Sequence, residues 1–83
     1  MSVAEYQFTD LISGRECTLV IPPGGRLFPK PGEPKIGIRH PGCDELADVS
    51  VLLDAFFCSR CSHGKGRVSG AWCLDMIKAA KQG

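Results

Sequence analysis

The chain has 83 residues, a net charge of +1 and 43% hydrophobic residues, with its aromatics confined to Tyr6, Phe8, Phe28, Phe56, Phe57 and Trp72. This length and composition exclude more than one domain and exclude general disorder, and no apolar run nears the roughly 18 residues of a membrane-spanning helix. So short a chain has a small core, which is expected to need a staple such as a metal ion or disulfides.

The stretch AEYQFTDLISG near the start suits either a short strand or a turn of helix closed by Gly14. The opening MSVAEYQFTDL lacks the basic start and apolar stretch of a signal peptide, which predicts a cytoplasmic chain. ECTLVIP, residues 16–22, is apolar and β-branched and lies between Gly14 and a Pro-Pro-Gly-Gly turn. It reads as a strand, with Cys17 as a small apolar side chain in it. Residues 22–34, PPGGRLFPKPGEP, hold five of the six prolines and form a loop by composition. Two readings of it stand side by side. It is a binding arm offering Arg26, Phe28 and Lys30, or a plain connector with Phe28 set against the core.

KIGIRH, residues 35–40, alternates Ile36 and Ile38 with small or polar neighbours and predicts a second strand. ADVSVLLDAFFC, residues 47–58, places Val49, Val51, Leu53, Ala55 and Phe57 on one face if extended. Leu46, Val49, Leu53 and Phe56 also fall near helical spacing, but the β-branched and aromatic content favours one strand here. RVS, residues 67–69, is a further short strand. Ser69 then caps a helix over residues 70–81. Trp72, Cys73, Met76, Ile77 and Ala80 make its apolar stripe, and Asp75, Lys78 and Lys81 point away from it. The expected class is α+β: a small antiparallel sheet with one C-terminal helix, in a single domain over residues 1–83.

Charge is unevenly spread. An acidic block (Asp44, Glu45, Asp48, Asp54) lies between a basic one (Arg26, Lys30, Lys35, Arg39) and a second basic one (Arg60, Lys65, Arg67, Lys78, Lys81). The basic blocks could gather into an anion-binding patch, but for a net charge of +1 a mixed, soluble surface is the favoured reading.

Three of the five cysteines and both histidines fall within residues 39–67. An odd count suits a closed disulfide set poorly, and in a reducing compartment such a cluster more often binds metal. His40-x2-Cys43 and Cys58-x2-Cys61 are separated by fourteen residues. This is close to the C-x2-C-x15–20-C-x2-C spacing of structural zinc sites, with one Cys replaced by His. Zinc takes four soft or borderline ligands in a tetrahedron, and each short turn can supply two of them. Pro41-Gly42 suits a tight turn between the first pair.

The expected ligands of one structural zinc are therefore His40, Cys43, Cys58 and Cys61. A second set stays open: Cys58, Cys61 and Cys73 with one of His40, Cys43 or His63. Cys73 lies on the apolar stripe and reads as core, and His63 lies in a polar Gly-rich turn. With four protein ligands no position remains for a water, which argues against a hydrolytic metal. Cys58-x2-Cys61 as a redox pair would need to open a helix, whereas here it follows a strand. No nucleophile–base pair is identifiable, and the chain reads as a non-enzyme.

HPGC, FFCSRC and GRVSGAWCLDMI together resemble small zinc-ribbon-type proteins of actinobacteria and their phages. The resemblance covers residues 36–79, about half of the chain. It implies a zinc-ligand role for His40, Cys43, Cys58 and Cys61, the histidine being a departure at the first position. Such small proteins mostly have no assigned function, so the resemblance strengthens the metal and says little about the partner. The function expected first is a binding module acting through protein–protein contact, such as a phage-encoded modulator in the host cytoplasm. The alternative is a nucleic-acid-binding zinc ribbon, with Arg39, Arg60, Lys65 and Arg67 on phosphates.

Overall fold

The computed structural model describes residues 2–61 and 65–82. Ala4, Tyr6 and Phe8 alternate with Glu5, Gln7 and Thr9, and this period of two makes the first segment a strand, β1 (Ala4–Thr9). It pairs antiparallel with β2 (Glu16–Ile21), running from Ala4 opposite Ile21 to Thr9 opposite Glu16. The helical option for this region is thereby excluded. Gly14, at φ +74°, takes the left-handed turn that a side chain would disfavour.

The sheet continues through β3 (Gly37–Arg39), β4 (Leu46–Ser50), β5 (Ala55–Phe57) and β6 (Lys65–Arg67). Each strand pairs antiparallel with the next in chain order. Residues 22–34 form the expected loop, tied down where Arg26 meets Lys35 and where the Ile36 amide bonds the Arg26 carbonyl. Phe28 stands 89% exposed, so it is not set against the core.

One expected element is corrected. Residues 47–58 are a hairpin, not a single strand. The chain reverses at residues 51–54, and Asp54 holds a left-handed φ of 51°. The Asp54 carboxylate accepts the Gly70 amide at 2.8 Å, and its carbonyl accepts the Val68 amide. Asx residues tolerate this backbone region, and the two bonds outweigh what extended β-branched residues would have gained. The last short strand also lies earlier than expected, at Lys65–Arg67.

The helix α1 (Gly70–Gln82) begins at Ser69, whose hydroxyl accepts the Trp72 amide at 3.2 Å. Its stripe packs as expected. Cys73 and Ile77 are buried, and Trp72, Met76 and Ala80 are partly so, while Asp75, Lys78 and Lys81 are exposed. The Trp72 ring lies 5.4 Å from that of Phe8, and Phe8 meets Phe56 edge to face at 5.9 Å. Around them Leu19, Ile36, Ile38 and Cys73 are the largest fully buried side chains.

The sheet curls until its last strand meets the first turn. The Leu11 amide donates to the Arg67 carbonyl, and the Arg67 amide donates to Asp10 at 2.9 Å. Asp10 is 3% exposed. It also accepts the amides of Ile12 and Ser13 and the Ser13 hydroxyl. Burial pushes its carboxyl pKa up, but these donors more than offset that and hold it below the ordinary aspartate value.

Candidate metal centre

In a meander of antiparallel strands, successive connections alternate between the two ends of the sheet. The β3–β4 and β5–β6 connections therefore share an end, and the β4–β5 turn lies at the other. His40 and Cys43 sit in the first of these connections, Cys58 and Cys61 in the second. The topology puts the two pairs at the same end of the sheet, and the curl of the sheet and the two turns bring them together.

The four donor atoms all lie within 4.8 Å of one another. His40 Nε2 is 3.1 Å from Cys61 Sγ. Two ligands of one tetrahedral ion, with bonds of about 2.0 and 2.3 Å, are separated by about 3.5 Å, so the cluster is of the right size. His40 and Cys58 are buried, and Cys43 and Cys61 half-buried. No cysteine is in a disulfide.

Backbone donors serve the sulfurs at both turns. The Arg60 amide lies 3.3 Å from Cys58 Sγ. This bond pulls the Cys58 thiol below its ordinary pKa, against desolvation, and the Cys61 amide helps. At Cys43 the Glu45 amide also pulls down, but burial and the neighbouring sulfurs of Cys61 and Cys58 prevail and push it up. Gly42, at φ +82°, makes the tight turn expected of Pro41-Gly42. His40 Nδ1 is buried with no hydrogen-bond partner among the described residues. Nε2, the nitrogen that faces the Cys61 sulfur, is the one placed to bind an ion. The donor set and its spacing fit a metal ion.

The other candidates separate cleanly. Cys73 is fully buried on α1, and its thiol is pushed up to about 11 by burial and by the Asp54 charge. Cys17 is 3% exposed in β2 and its thiol is likewise raised by burial. Both are core, and neither joins the four-residue cluster. His63 lies outside the described residues.

Of the basic residues, Arg60 is exposed in the second turn, and Lys65 and Arg67 are exposed on β6 either side of buried Gly66. Arg39 instead pairs with Glu5 at 2.7 Å on the outer face of the sheet. Sequence reasoning did not single out Arg15, which lines a cavity of about 160 Å³ together with His40, Lys65 and Asp10. It also passed over Asp10 and Asp54. The one signal for them was an aspartate next to turn residues, which marks a turn but not its distant partner.

Comparison with protein-family models, curated proteins and solved structures finds no match to this chain.

Proposed function

We propose that the chain is a small zinc-binding interaction protein, in which one structural zinc is held by His40, Cys43, Cys58 and Cys61 and the folded surface engages another protein. The convergence of three sulfurs and one imidazole nitrogen within 4.8 Å carries the metal part of this reading. Soft thiolates with one imidazole favour zinc over hard cations such as magnesium or calcium. Four protein ligands make a closed site, so the ion contributes to folding and supplies no reaction. Native mass spectrometry is the test. One zinc per chain is expected, lost on Cys58→Ser, and a metal-free chain that stays fully folded would overturn the reading.

The protein-contact part is supported by the closed, structural character of the site, which leaves the folded surface to act, and by paired exposed apolar side chains at two turns, Leu11 with Ile12 and Leu52 with Leu53. A phage-encoded modulator of a host complex is the setting this reading suggests.

Nucleic-acid binding is the second reading. It is favoured by Lys65 and Arg67, which share the outer face of β6, with Arg60 in the turn before it. Such binding would weaken steeply with salt. No detectable affinity for DNA or RNA at about 50 mM salt would remove it.

A further inference from the structure

β1 is the edge of the sheet and pairs with β2 alone. Along its six residues, alternate N–H and C=O groups have no backbone partner among the described residues. Edge strands are usually defended by proline, lysine, a bulge or brevity. AEYQFT has no proline or lysine, pairs in unbroken register, and its single charge, Glu5, is bound to Arg39. The other edge, β6, is three residues long and is met by the Asp10–Leu11 turn.

A groove opens over one end of this strand, between the face of the sheet and α1 and bounded by the Pro22–Gly25 turn. The Trp72–Phe8 contact holds α1 near one end of β1. Toward the other end α1 carries only the small side chains of Ala79 and Ala80 opposite Ala4 and Tyr6, and a space of about 580 Å³ opens, with Ile21 and Pro22 also lining it. That volume is within the usual range for ligand sites, about 300–1,000 Å³. Lys81 stands at the groove and no carboxylate lines it among the described residues.

We propose that this groove takes an extended peptide segment of a partner protein, added to β1 as a seventh strand, with an apolar side chain seated between Tyr6 and Ala80 and an acidic group toward Lys81. Unpaired main-chain groups on an exposed edge can accept a partner in strand form. The apolar lining selects an alternate side chain of that strand, and Lys81 selects the charge. A folded second copy is a poorer occupant, because the one carboxylate its β1 could offer Lys81, Glu5, is already bound to Arg39. This proposal rests on the protein-contact reading and names the contact.

The test pans the full chain, loaded with zinc, against a displayed library of random linear peptides. Enriched peptides are expected to share an apolar residue at one position and an acidic residue at another. They should slow amide hydrogen exchange in Ala4–Thr9. Ala79→Trp, at an exposed helix position, should abolish binding while the melting curve stays that of the parent. A library that yields no enriched peptide, or peptides whose protection maps away from β1, would overturn the proposal. So would a β1-mediated dimer in sedimentation, which would assign the edge to a second copy. Retention of a cellular protein partner by Ala79→Trp would overturn the groove and leave protein contact itself standing.

Discussion

The Asp10 carboxylate accepts the Arg67 amide at 2.9 Å, joining residues 57 apart in the chain. It ties the first hairpin to the last strand, where the sheet curls back on itself. Asp10→Ala leaves several partly buried donors without an acceptor, and the expected loss is about 2–3 kcal/mol by denaturant unfolding. The pH dependence follows from the lowered folded pKa. The contribution is complete above the unfolded value near about 3.9, and is lost as pH falls through the lower folded value. Unfolding curves of the parent should weaken on the acid side of about pH 4, and those of Asp10→Ala should weaken less.

The cysteines should divide into two groups. Cys43→Ser and Cys61→Ser are expected to lose zinc, measured by native mass spectrometry. Cys17→Ala and Cys73→Ala are expected to keep it. Cys73→Ala leaves a small cavity in the core and should lower stability by about 1 kcal/mol, read from thermal melting. A chelator should unfold the parent and both core variants alike.

Thiol reactivity gives a separate check on the same division. Cys73 is fully buried with its thiol pushed up to about 11. Burial also raises the Cys17 thiol. At neutral pH neither should react with an alkylating agent while the chain is folded. After chelation the cluster cysteines should be modified along with them, as mass spectrometry of tryptic peptides would show.

Gly70 lies against the β4–β5 turn. A Cβ there would strike the Val51 carbonyl oxygen and come within 2.9 Å of the Asp54 carboxylate. Both are held, one as backbone and one by its bond to the Gly70 amide. Gly70→Ala should therefore destabilise by about 1–3 kcal/mol, although alanine is the better helix former. Thermal melting checks the sign, which propensity alone would give the other way.

Much of this architecture was legible from local pattern. The β-branched run of residues 16–22, the Pro/Gly loop, the Ser69 cap and the apolar stripe of α1 each depend on neighbours within a few residues. The hairpin at residues 51–54 was not legible. Val51 and Leu53 continue the alternation of a strand, and the stabilising bonds come from Val68 and Gly70, which pattern reading treats as unrelated. Asp10 was missed for the same reason, since its partner is 57 residues away.

That hairpin decides the metal centre. Had residues 47–58 run as one strand, Cys58 would stand about 36 Å from Ala47, at 3.3 Å per residue, and so far from the His40–Cys43 turn that precedes it. By itself the sequence determined which residues have the chemistry to hold a metal and how each pair is spaced, because a short turn brings two ligands together whatever the rest of the chain does. Only the tertiary structure decided that the two pairs meet, because a reversal between them must be stabilised by contacts from distant parts of the chain. It also decided that β1 is left with an open edge and that a groove opens over one end of it, because strand order is set by pairing between distant segments.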